Sequence, residues 1–216
     1  MNALAPEAVA RGARKAGKFF VQLSTDFVFD GTRGPYGEDA PRSPLSTRMS
    51  WYGWTKSEGE RRASGAGADL AVVRISNPYR AAFAPKLDFA RWMLARHRDG
   101  TLPPLYANQQ ISPTWVPDVS GAVEAVVLRR APGVFHVASP ELTTPWEFGH
   151  ELLAHARGSA VEVERGTLVE PLPGSGVAPR PIRGGLATAR AQRLGVRLTP
   201  WRLGIRELLS AQGLGR

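Results

Sequence analysis

The sequence predicts an α/β fold, a parallel sheet flanked by helices, on three observations. Short apolar runs bounded by turn residues recur at Phe19–Leu23, Asp69–Ile75 and Gly133–Ala138, as strands buried on both faces require. Stretches of helical length separate them, at Tyr52–Ser64, Lys86–Arg98 and Asp118–Arg130. Strand and helix in alternation build parallel βαβ units.

Each element has its own local reason. Ala3–Ala16 is an Ala-rich, Arg-bearing helical stretch stopped by Gly17. The run Phe19–Leu23 follows as a buried strand, with Ser24, Thr25 and Asp26 at its carboxyl end. Gly65-Ala66-Gly67 breaks the next helix before the second strand, and Asp99-Gly100 ends the helix from Lys86. Pro103-Pro104 leads to a short extended segment at Leu105–Ala107, and Pro117 precedes the helix from Asp118. Thr144 caps a helix through Ala156 with Pro145 at its first position. Val161–Glu164 alternates like an exposed edge strand. Thr199-Pro200 opens a last helix to about Gln212 by the same device. Gly174–Pro179 is the most flexible-looking stretch.

Composition narrows the function classes. At 216 residues and 43% hydrophobic content the chain buries a substantial core. With no cysteine, disulfides and thiolate metal ligands are excluded, and a reducing compartment fits. No apolar stretch reaches the ~20 residues of a spanning helix, so a soluble, cytoplasmic protein without membrane contact is expected. The net charge of +9 comes from arginines spread along the chain rather than from a basic stripe. Nucleic acid is therefore not an expected partner, whereas anionic small molecules are. The four histidines show no metal-ligand spacing, His136 in its strand reads as a hydrogen-bonded core residue, and no metal is expected.

Chemistry concentrates at one strand end and the helix that follows it. Tyr52 and Lys56 stand four residues apart, on one helix face. A phenol titrates near ~10, and a neighbouring ammonium makes its anion easier to form. With a hydroxyl from Ser24 or Thr25 as third partner, such a pair suits proton transfer at a carbonyl or alcohol oxygen. In open parallel sheets ligands bind at that carboxyl edge. Gly31, Gly34 and Gly37 spell a GxxGxxG. They are followed by two prolines where a nucleotide-binding turn would open a helix, and read as loop glycines.

The stretch STDFVFDG, then PYGED, then YGWTKSEGE resembles the active-site segment of the extended short-chain dehydrogenase/reductase superfamily. It is most similar to the dTDP-4-dehydrorhamnose reductases and their sugar-nucleotide-modifying relatives. Arg74–Tyr79, Asn108–Thr114 and Arg180-Pro181 with Leu186 continue the resemblance in order. It implies an incomplete Rossmann-like sheet with a small C-terminal lobe. Residues 1–76 would be the C-terminal part of the NAD(P)-binding domain. Residues 77–216 would be mainly the nucleotide-sugar lobe, interleaved with late Rossmann elements around 118–140. Members open with a Gly-rich βαβ unit, so on this reading about 80 residues of the cofactor domain precede Met1 and the first strand has an open edge.

The resemblance also implies roles. Tyr52 would be the general acid, Lys56 its helper and a ligand of the nicotinamide ribose, and Thr25 the donor to the reacting oxygen, with Ser24 competing. Ser24, Tyr52, Lys56 and Asn77 would contact NADP or NAD. Asp26, Asn77, Gln109, Thr114 and Arg180 would contact a nucleotide sugar, and a homodimer is the protein partner to consider. Two departures bear on the substrate. Asn77 stands where the rhamnose-forming reductases typically carry Trp, and Asn108 replaces an Asp. Reduction of a 4-keto nucleotide sugar is the leading expectation. An epimerase or dehydratase of the same superfamily, or a non-catalytic binding homologue, stays open.

Overall fold

The computed structural model describes residues 1–46, 48–81, 86–172 and 175–214. Its centre is a three-stranded parallel sheet ordered β1 (Phe20–Thr25), β2 (Leu70–Ile75), β4 (Gly133–His136). The register sets Ser24 opposite Arg74 and Arg74 opposite His136. Alternate residues therefore face opposite helical layers. Phe20, Leu70, Val72 and Val134 pack with Ala10 of α1 (Leu4–Lys15) and Ala63 and Ala66 of α2 (Trp51–Gly65) and the turn after it. Val21, Val73 and Ile75 pack on the other side against Ala122 of α4 (Val116–Leu128) and Ala191 of α6 (Ala189–Arg193). The α/β fold expected from the alternation is the fold observed.

A second core fills the C-terminal lobe, between α3 (Phe89–Arg98), α5 (Pro145–Arg157) and α7 (Trp201–Ala211). The Tyr79 ring lies edge-on to Phe148 at 5.1 Å, and its hydroxyl donates to the Trp201 carbonyl at 3.1 Å. Gly204 is required there, since a Cβ would strike that hydroxyl. A two-stranded parallel pair, β3 (Leu105–Tyr106) with β5 (Arg165–Gly166), borders this lobe.

Several elements differ from the sequence reading for identifiable reasons. Leu23, read as part of a buried run, is 49% exposed, because it faces outward near the end of β1. Helix α3 starts at Phe89 rather than Lys86, since Asp88 caps it by accepting from the Arg91 amide at 2.9 Å. Val161 and Val163 do alternate inward, but onto the lobe core; the strand pairing falls at Arg165–Gly166. Thr199 does not cap α7: its hydroxyl and amide both bond Asp118, at 2.8 and 2.6 Å. Gly174, in the stretch read as flexible, lies outside the described residues.

Candidate active site at the end of the first strand

Thr25 ends β1, and the chain turns at once into a 3₁₀ turn, Asp26–Val28, in which the Thr25 hydroxyl accepts from the Phe27 amide at 3.3 Å. Helix α2 begins beside this turn. Ser50 caps it by accepting from Gly53 at 3.0 Å, and Gly53 lies so close to the Phe27 carbonyl that any side chain would clash. That contact brings the start of α2 close to the turn, where the Tyr52 ring lies edge-on to Phe27 at 5.9 Å, half-exposed. One turn on, the Lys56 ammonium donates to the Leu23 carbonyl at 2.7 Å.

The electrostatics differ from the simple helper relation. Burial pushes the Tyr52 phenol above its ordinary value; a hydrogen bond with Thr25 offsets part of this, and the Asp26 charge adds to it. Burial pulls the Lys56 ammonium down, opposed by Glu60. Lys56 is thus turned onto backbone, and the phenol is held protonated rather than primed as an anion.

Asp26 is buried, not open to a cleft. Its carboxylate accepts from Thr25 at 3.1 Å and from Ser76 at 2.7 Å, and Ser76 in turn accepts from the Asn77 amide at 3.1 Å. Burial raises the Asp26 carboxyl to about 6. Burial and the Arg74 charge instead lower His136 to about 4. A raised carboxyl stabilises the fold at low pH and loses that contribution as pH climbs from about 4 to 6; a depressed histidine loses its contribution as pH falls from about 6.5 to 4. The two oppose each other over one window. Asp26→Asn removes one side: relative to it, the parent chain should lose about 3 kcal/mol between pH ~4 and ~6, read by urea unfolding. A constant difference across that range would refute the assignment.

Ser24 parts company with Thr25. Adjacent strand residues face opposite layers, and the Ser24 hydroxyl donates to Glu60 at 2.5 Å, beneath α2. Asn77 (φ +42°), Gln109 and Arg180 do meet, lining a slot of about 280 Å³ with Trp92, Met93 and Tyr106. Gln109 also donates to the Pro181 carbonyl at 3.0 Å, which holds the Arg180 segment. Thr114 lies away from that slot. Fully buried, its hydroxyl donates to Val137 at 2.7 Å and accepts from Ser76 at 2.9 Å, tying strand ends together. Asn108 brackets the Leu168 backbone through both amide atoms.

The residues 1–213 match the family model described as the RmlD substrate binding domain. The chain belongs to that family. It is similar to methionine adenosyltransferase 2 subunit beta of Xenopus tropicalis, 31% identical over 97% of this chain, and spans 62% of that protein's length. It is also similar to dTDP-4-dehydrorhamnose reductase of Burkholderia thailandensis, 30% identical over 97% of this chain and 74% of the relative. The crystal structure of dTDP-4-dehydrorhamnose reductase from Bacillus anthracis in complex with NADP superposes with a TM-score of 0.80 at 22% identity, over 97% of this chain and 72% of that one.

Within this RmlD-family chain the first two glycines of GxxGxxG serve a loop contact. Gly31 and Gly34 press on the backbone of Pro181 and Gly184, and the Gly34 amide donates to the Arg183 carbonyl at 2.9 Å. His136 is buried and bonded through both ring nitrogens. Sequence reasoning missed Glu60 and Arg74, a buried ion pair at 2.7 Å. The signal for Glu60 was present, since it continues the four-residue spacing of Tyr52 and Lys56. Among the described residues, no helix is long and apolar enough to cross a membrane, and no three His, Asp or Glu side chains converge on a metal-sized site.

Proposed function

We propose that this chain carries the proton-donating and nucleotide-sugar-binding part of an NAD(P)H-dependent reductase acting on a 4-keto nucleotide sugar. The observation that carries the reading is the placement of Tyr52 and Thr25 together at the carboxyl end of β1, with the phenol in its protonated form. A reduction needs a donor at the ketone oxygen, and an acid held above its ordinary value keeps its proton until charge develops there. Thr25 donates a second hydrogen bond to the same oxygen, exchanging its bond to Asp26 for it.

The donor set fits a nicotinamide cofactor. Lys56 and Tyr52 are partly exposed at the strand edge where ribose hydroxyls would meet them. When bound, that cofactor supplies the hydride. The described residues hold and orient the sugar: Asn77 and Gln109 offer amides within the slot, and Trp92 and Tyr106 offer flat faces for a base or sugar. Arg180, exposed at the rim, suits a diphosphate through its paired donors. A homodimer in a cytoplasmic setting belongs to this same proposal.

The Burkholderia relative's name supports a dTDP-linked 4-keto-6-deoxyhexose, whereas Asn77-Pro78-Tyr79 leans toward the epimerases and dehydratases of the same superfamily. The test is loss of nicotinamide absorbance when the native polypeptide carrying this chain meets dTDP-4-dehydrorhamnose and NADPH. Stoichiometric formation of a reduced sugar is expected; no turnover with any 4-keto nucleotide sugar would overturn the proposal. A second reading, a binding subunit that serves a partner enzyme, is favoured by the similarity to a methionine adenosyltransferase beta subunit. It predicts nucleotide binding without turnover.

A further inference from the structure

Three polar side chains form a row across the sheet beneath α2. Ser24, Arg74 and His136 are in register on β1, β2 and β4 and share the face that carries Val72. Glu60 descends on this row from α2, fully buried. Its carboxylate accepts from Ser24 at 2.5 Å, from Arg74 Nε at 3.0 Å and Nη2 at 2.7 Å, and is faced by Arg42 at 3.5 Å from the rim. The remaining Arg74 donor meets His136 Nε2 at 3.3 Å, and its guanidinium lies 5.0 Å over the Phe29 ring. Since arginine only donates, Nε2 accepts; His136 Nδ1 then donates to the Ala187 carbonyl at 3.0 Å.

Stability alone does not account for this cluster, because desolvation of a buried ion pair roughly cancels its attraction. The helix already has an apolar contact with the sheet through Ala63. The α2 side chain that meets the sheet there is the small Ala63, so hydrophobic packing defines depth better than rotation or slide. A two-pronged carboxylate–guanidinium bond defines all three. Glu60 stands one turn from Lys56 and two turns from Tyr52 on the same helix side. The row it grips lies one residue before Thr25.

We propose that Glu60 is a positioning residue: through Arg74 and Ser24 it locks the rotation and slide of α2, so that the Lys56 ammonium reaches the Leu23 carbonyl and the Tyr52 phenol reaches Thr25. Its effect on turnover rests on the reductase reading; its effect on geometry does not. Two variants test it in the native polypeptide. Glu60→Asp keeps the charge but shortens the reach, and the double change Glu60→Leu with Arg74→Met removes both ions together and so leaves no buried charge unpaired. Both should keep the native circular dichroism while the nuclear Overhauser contact between the Tyr52 and Phe27 rings weakens. In Glu60→Asp, kcat should fall by ~10–100-fold with KM little changed, as a misplacement of order 1 Å does. A folded double variant with that contact and kcat both intact would overturn the proposal. Loss of the contact in a protein that shows no turnover even as wild type would sustain the positioning role and remove the reductase reading instead.

Discussion

Tyr52→Phe should lower turnover of a 4-keto nucleotide sugar by ~10²–10⁴-fold, the usual worth of a positioned general acid. It should leave stability within about 0.5 kcal/mol, as for other half-exposed positions. The ring survives the change and keeps its edge-on contact with Phe27, which is all that the packing at this point requires. What disappears is one proton beside Thr25. Because burial and the nearby Asp26 carboxylate both raise the phenol, its donor form persists across neutral pH, and activity should fall only on the alkaline side. Measuring kcat against pH for wild type and variant decides the matter. Equal rates would remove the phenol from the mechanism, and an acid limb shared by both proteins would point to Asp26 instead.

Arg74→Met on its own should destabilise the chain by about 3–5 kcal/mol, measured by urea unfolding at neutral pH. Arg74 and Glu60 are both essentially inaccessible, so the variant strands a carboxylate without its counter-ion. Ser24 and Arg42 soften but do not replace the loss. Adding Glu60→Leu should recover most of the loss, because two apolar side chains of similar volume suit that site nearly as well as the pair. A deficit below 1 kcal/mol in the single variant would show that the pair is not buried as described.

How far the sequence could be read follows from which forces are local. The strand ends, the helix read at Tyr52–Ser64 and its Tyr52–Lys56 face were legible because periodicity acts within a few residues. The fold class followed from their alternation. Ser24 and Thr25 could not be separated, because period-two geometry states only that they diverge, not which layer lies above each. Helix α6 went unseen for a similar reason. Its first amides are capped by the Glu38 carboxylate, at 2.9 Å from the Arg190 nitrogen, 152 residues earlier in the chain. Thr114 and Asp26 matched motif positions, yet the structure uses their side chains on neighbouring strand ends. Arg74 hid within an apolar run, where a charge is legible only once its partner on α2 is known. Of the five residues the resemblance assigned to the sugar, Asn77, Gln109 and Arg180 line one slot, while its aromatic walls, Trp92 and Tyr106, carried no local mark.

The left-handed backbone of Asn77 has a consequence for redesign. Asparagine tolerates that conformation, whereas bulkier residues pay about 1–2 kcal/mol to enter it. A tryptophan introduced there to recast selectivity would have to unwind the bend after β2 first. Trp92, seated on a regular helix, is free of that constraint. Directed evolution of the pocket should therefore start from the helix side and leave the bend alone.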